Sequence, residues 1–157
     1  MSPSQLIDGV VIKVLQTHTD ERGFFREIIR VTDVYFDHPF GQWSHSRMKA
    51  GVIKAWHKHL KQTDYFYVAS GLVRVGLCDQ RAGSKTEGAV MDLRIGDQAE
   101  AIVIKVPAGV AHGVKALTDA NLLYLMSHTY DPSDEIRLPQ DLPGVAFDWT
   151  QEGQAER

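Results

Sequence analysis

The sequence predicts an all-β fold, a jelly-roll β-sandwich or barrel, on three observations. Short apolar runs recur along the chain: Val10–Leu15, Phe24–Val31, Gly51–Trp56, Tyr65–Ala69, Leu72–Cys78, Ala101–Val106 and Leu122–Ser127. They are rich in Val, Ile, Phe and Tyr, and Gly, Pro, Asp or Asn stands near most of their ends, as for strands bounded by turns. No segment holds a 3.6-residue apolar period over three turns, so only short peripheral helices are expected, near Pro3–Leu6 and around Pro132–Ile136. Many short strands in one domain close into a structure with a mouth and an interior, into which strand residues of one parity point. Such a fold is a container for a small molecule.

Length and composition narrow the function. The chain of 157 residues suits one domain, 1–157, with 150–157 expected as a frayed tail. A formal charge of -3 without charge blocks argues against nucleic acid. The single cysteine, Cys78, permits no intramolecular disulfide and fits a reducing compartment, where it reads as inert core. The start, MSPSQLIDGV, lacks the basic and apolar regions of a signal peptide, and no apolar run reaches the length of a membrane span. A cytoplasmic, soluble protein is expected.

The stretch Gly51–Gly71 carries the chemistry. His57 and His59 are two residues apart, so on a strand they face the same side. Asp64 follows, then Tyr65-Phe66-Tyr67. Tyr65 and Tyr67 share one face, Asp64 and Phe66 the other, and only one of these pairs lines the interior. Polar groups inside an apolar strand pair are costly unless satisfied or used, which leaves two readings, a proton-transfer site or a metal site. Pro107 and Gly109 set a turn that delivers His112 to the next strand, near His57, with Gly113 leaving room beside it. Tyr124 sits in an apolar strand, where an inward hydroxyl can serve as a positioned acid. Trp56 reads as barrel wall, and His18, His38, His45 and His128 as surface or structural. Asp79–Asp97 reads as an outer connection with a surface strand near Met91–Ile95, and Asp131–Trp149, with its prolines, as a wrapping tail.

Five motifs in order, DERGFFRE (Asp20–Glu27), SHSR before GVIKAWH (Ser44–His57), VPAGVAHG (Val106–Gly113), LYLMSHTYDP (Leu123–Pro132) and FDW (Phe147–Trp149), resemble the dTDP-4-dehydrorhamnose 3,5-epimerase family. Its members are cupin-type jelly rolls that epimerise a nucleotide-linked 4-keto-6-deoxy sugar at the carbons flanking the ketone. The resemblance runs from Val10 to Trp149 and implies no metal and no redox cofactor. It puts His57 at the base and Tyr124 at the acid. Lys54 falls near the sugar, where an arginine is usual, and His112 where a donor could steady the enolate oxygen. Arg22, Phe25 and Glu27 fall on residues that reach the nucleotide, partly from the partner subunit of a homodimer, and Gln42 near the nucleoside. His59, usually glutamine, is counted with the substrate-binding residues. The chain also departs from the pattern. The aspartate that holds the base aligns with Leu142, so Asp141, one residue away, is expected to take that role. Asp64 and Arg74 stand where lysine and aspartate are common and are expected as a swapped ion pair across a hairpin. Ser44 and Thr129 replace a usual asparagine and aromatic near the nucleotide base.

The same stretch fits the metal-binding cupin spacing, Gly51-x5-His57-x-His59-x4-Asp64-x6-Gly71 followed by Pro107-x-Gly109-x-x-His112. His57, His59, Asp64 and His112 would then hold iron, manganese or nickel in an oxygenase or isomerase. An inactive sugar-nucleotide binder is a third reading, should nothing support His57. Tyr124, Arg22–Glu27 and the C-terminal pattern have a role only in the epimerase reading. The expectation is therefore a cytoplasmic, homodimeric isomerase acting on a nucleotide sugar for a polysaccharide or glycosylated metabolite, without nucleic-acid or membrane partners.

Overall fold

Alternation of apolar and polar residues resolves into strands in the computed structural model, which describes residues 6–152. In chain order these are β1 (Val11–Val14), β2 (Thr17–Asp20), β3 (Gly23–Arg26), β4 (Gln42–Met48), β5 (Ile53–His59) and β6 (Asp64–Ser70). They continue with β7 (Leu72–Asp79), β8 (Val90–Gly96), β9 (Ile102–Val106), β10 (Val110–Ala116), β11 (Ala120–Met126) and β12 (Glu135–Arg137). One sheet has the order β1-β9-β6-β11-β4 and the second β12-β5-β10-β7-β8, while β2 and β3 form a separate hairpin. This is the expected jelly-roll sandwich. Among the described residues no helix is long and apolar enough to cross a membrane.

Side-chain parity fills the space between the sheets. On β7, Val73, Val75 and Leu77 enter the central core, and Cys78 packs on the opposite face. On β6, Phe66 and Val68 enter the core, whereas Tyr65 and Tyr67 pack outside with Tyr35 and Phe36. Asp64 shares the parity of Phe66 and is therefore the inward residue, a choice the sequence left open. Chain passes from β6 to β7 through Gly71, at φ +81, where a Cβ would lie 2.1 Å from the Asp119 carbonyl oxygen. Only glycine fits there.

The C-terminal tail seals the outer face of the second sheet. Trp56 contacts Phe147 and Trp149 edge-on, with centroids 5.3 and 5.0 Å away. Trp56 is a buried wall residue of β5 whose ring turns outward onto the tail. Arg74 pairs with Asp92 through two bonds of 2.9 Å, donates to the carbonyls of Asp148 and Gln151, and lies 4.2 Å over the Phe147 ring. The expected Asp64–Arg74 pair is therefore not formed. The two residues stand on different sheets, Asp64 inward and Arg74 outward.

Two further expectations are corrected. The stretch around Pro132–Ile136 is a turn followed by β12, not a helix, because Glu135 and Arg137 pair with His59 and His57 of β5. Pairing along an open sheet edge satisfies the backbone that a helix would otherwise have to satisfy. Of the tail expected to fray, residues 150–152 are held: Lys115 donates to the Thr150 and Gln151 carbonyls, and Arg94 to that of Glu152. Residues 153–157 lie outside the described residues, as do residues 3–5 of the expected N-terminal helix. No helix occurs among the described residues.

Candidate active site

The two sheets enclose a cavity of about 230 Å³ at one end of the core. From the second sheet come His57 and His59 of β5, His112 of β10 and Glu135 of β12; from the first come Asp64 and Phe66 of β6, Tyr124 of β11 and Gln42, Ser44 and Ser46 of β4. Strand parity explains the grouping. His57 and His59 flank Lys58 on one face of β5, and register places His112 directly across from His57.

His57 Nδ1 lies 2.9 Å from Glu135 Oε1. With its Nδ1 proton donated to that carboxylate, the imidazole keeps a free lone pair on Nε2, the state a base requires. Burial pushes the Glu135 carboxyl up, but hydrogen bonds from Arg137 and His57 outweigh it and hold the group below its usual range, so it stays ionised. Glu135 thus occupies the place expected of Asp141. Asp141 is exposed in a turn past β12, next to Gln140, whose carbonyl accepts the Trp56 indole N–H at 3.2 Å. Leu142 packs in the outer apolar cluster with Trp56. Glu135 was missed because it lies in a proline-bearing run. The signal was present, since Glu135-Ile136-Arg137-Leu138 alternates polar and apolar with the period of a strand.

Tyr124 is half-buried, its ring edge-on to Phe66 at 6.1 Å between centroids. Burial, then the Asp64 and Glu135 charges, raises its hydroxyl pKa, so it holds its proton. Lys54 donates to Ser46 Oγ at 2.7 Å on the cavity wall. Gln42 donates to Ser44 Oγ at 3.0 Å and accepts the Tyr130 N–H at 3.0 Å.

His112 is buried between the other two histidines, 6.2 Å from His57 and 5.5 Å from His59 between ring centroids. Burial, with the neighbouring imidazoles, pushes its pKa down to about 3, so it is neutral. Its Nδ1 lies 3.3 Å from the Val110 carbonyl, which places the proton there and a lone pair on Nε2, 3.4 Å from Asp64 Oδ2. The ring so held presents an acceptor, not the donor expected for an enolate oxygen. Burial raises Asp64 to about 7, against the Gln62 hydrogen bond that opposes the shift. His59 is likewise buried, and burial lowers its pKa.

Of the four residues expected in a metal site, His59, Asp64 and His112 converge, with ligand atoms all within 4.8 Å of one another. His57 stands apart on Glu135. Arg22, Phe25 and Glu27 do not reach the cavity within this chain. They are exposed on and just after the β2–β3 hairpin, Arg22 paired with Asp20 and Glu27 with Arg30. His18, His38, His45 and His128 lie outside the cavity, His45 bonded to Asn121 at 2.8 Å.

The family model for dTDP-4-dehydrorhamnose 3,5-epimerase matches residues 4–157. The chain belongs to this family. Its members are epimerases, a class of isomerase, and the epimerase described here shares their jelly roll. It is 39% identical to the spore coat polysaccharide biosynthesis protein SpsL of Bacillus subtilis, over 94% of this chain and 99% of that protein. It is 34% identical to the probable low-salt glycan biosynthesis epimerase Agl13 of Haloferax volcanii, over 93% of this chain and 96% of that protein. The crystal structure of the Legionella pneumophila epimerase RmlC, in complex with dTDP-4-keto-L-rhamnose, superposes with a TM-score of 0.85 at 27% identity, covering 98% of this chain and 85% of that one.

Proposed function

We propose that this epimerase inverts one or both carbons flanking the ketone of a nucleotide-linked 4-keto-6-deoxyhexose, with His57 as base and Tyr124 as acid. The observation that carries this reading is their placement. His57, with a free Nε2 lone pair, stands on one sheet, and Tyr124, with its proton retained, stands on the sheet that faces it. A sugar ring between them meets a base on one face and a proton donor on the other, which is what inversion requires.

The C–H next to a ketone is acidic because its carbanion is an enolate. His57 Nε2 takes that proton, and Glu135 stabilises the imidazolium that forms. Lys54 supplies positive charge at the wall while the enolate exists. Tyr124 then returns a proton from the opposite face, and solvent restores both groups. Gln42 and His59 contact the substrate from the cavity wall. Arg22, Phe25 and Glu27, exposed on the hairpin, reach the nucleotide in a neighbouring copy, so the working unit is a homodimer of single-domain chains. Exposed Phe24 and Phe25, at 60% and 64%, supply apolar surface for that contact. The names of the relatives support a role in glycan synthesis; a cytoplasmic setting without nucleic-acid or membrane partners belongs to the same reading.

Incubation with dTDP-4-keto-6-deoxyglucose in deuterated buffer, followed by NMR, tests the reading. Deuterium at a carbon flanking the ketone is expected. Tight binding without exchange would instead support an inactive binder.

A further inference from the structure

We propose that His59 Nε2, Asp64 Oδ2 and His112 Nε2 bind a divalent transition-metal ion in the buried wall of the cavity. The argument starts from atoms that carry lone pairs and face one another. His112 Nε2 lies 3.4 Å, and His59 Nε2 3.6 Å, from the same carboxylate oxygen, Asp64 Oδ2. Neither is a hydrogen bond. Lone-pair atoms turned toward one another on a cavity wall repel, and a cation among them relieves that repulsion. The spacing suits one: with metal–ligand bonds of about 2.0–2.2 Å, neighbouring donors of a tetrahedral or octahedral set sit about 3–3.5 Å apart.

The surroundings are those of ligands held in place. Each ring turns its other nitrogen toward an oxygen, His112 Nδ1 to the Val110 carbonyl at 3.3 Å and His59 Nδ1 to Asp134 Oδ2 at 3.6 Å. His59 Nδ1 is buried and has no hydrogen bond at that distance. Asp134 is fixed independently, accepting the Lys61 and Gln62 N–H groups at 2.8 and 3.1 Å. Asp64 Oδ1 accepts the Gln62 amide at 2.7 Å, which aims Oδ2 at the two rings. The same amide lies 3.3 Å from His59 Nε2, a contact that a metal would replace. Such outer partners fix the tautomer and orientation of metal ligands.

Two imidazoles and one carboxylate select zinc, iron, cobalt, nickel or manganese over calcium and magnesium. His57 remains outside the set and free as a base. Three protein ligands leave coordination positions for water or a substrate oxygen. Positive charge is scarce in the cavity, where Lys54 is the one lysine or arginine among the lining residues and Asp64 and Glu135 are carboxylates. A dication there would favour an enolate; that role rests on the epimerase reading, whereas binding itself does not.

The test uses the full-length protein, stripped with EDTA and titrated with Co²⁺. One equivalent should bind with visible d–d bands and raise the melting temperature, and X-ray absorption should show imidazole scattering. His59→Gln should weaken binding at least about 100-fold, while His45→Ala should not. Absence of saturable binding, absence of imidazole scattering in the unmutated protein, or unchanged affinity in a folded His59→Gln variant would overturn the proposal. The scattering measurement needs no variant, so it decides the matter even if His59→Gln does not fold. Deuterium exchange in the stripped protein is read separately, so failure of the metal site leaves the epimerase reading intact.

Discussion

His57 Nδ1 and Glu135 Oε1, 2.9 Å apart, join β5 to the edge strand β12 and set the tautomer of His57. Glu135→Gln keeps the reach but turns an amide toward Nδ1 and removes the charge that stabilises the imidazolium. A loss of about 10²–10⁴-fold in kcat is expected, with KM changed only a few-fold. Asp141→Asn, altering an exposed turn, should leave kcat within about twofold. Steady-state kinetics on the two variants separates Glu135 from Asp141 as the orienting carboxylate.

His57→Ala should abolish deuterium incorporation from solvent while circular dichroism stays unchanged, because among the histidines lining the cavity His57 is the one hydrogen-bonded to a carboxylate that would stabilise its imidazolium. Tyr124→Phe removes only the hydroxyl. Exchange at one carbon should persist and inversion should fall; equal loss of both in that variant would assign Tyr124 a different role.

Asp79 predicts an acid-sensitive fold. Its carboxylate accepts bonds from Arg81 Nε at 2.8 Å, Ser84 Oγ at 2.7 Å and Thr86 Oγ1 at 2.7 Å, and the Arg81 bond above all holds it well below the usual carboxylate range. A carboxyl depressed on folding contributes stability above its unfolded pKa of about 4, and that contribution is lost as pH falls further toward the folded value. Asp79→Asn should therefore cost about 2–4 kcal/mol at pH 7 by urea titration, and the gap to the parent should narrow below about pH 4.

Gly113 follows His112 on β10 and faces the tail. A Cβ there would meet Ala55 Cβ at 2.4 Å and Trp149 Cζ2 at 2.8 Å. Gly113→Ala should push Trp149 off Trp56 and cost about 1–3 kcal/mol, a fall of roughly 3–10 °C in Tm by calorimetry.

Much of the site was legible because β-strands write their geometry locally. A period of two put His57 and His59 on one face, and Pro107 and Gly109 announced the turn that delivers His112. The same logic could not say whether Asp64 and Phe66 or Tyr65 and Tyr67 face inward, since both faces of β6 are buried. It also misread Pro132–Ile136, where local composition competes with pairing to a strand more than seventy residues earlier in the chain.

The sequence by itself determined the jelly roll, the family, and a cavity containing His57, His59, His112 and Tyr124, because strand parity and turn chemistry depend on neighbours along the chain. Only the tertiary structure decided that Glu135 rather than Asp141 pairs with His57, that Arg74 joins Asp92 instead of Asp64, and that His59, Asp64 and His112 converge without His57. Those outcomes depend on which edge strand docks where and on which sheet each residue lands. Contacts so far apart in the chain are set by packing, which no local pattern encodes.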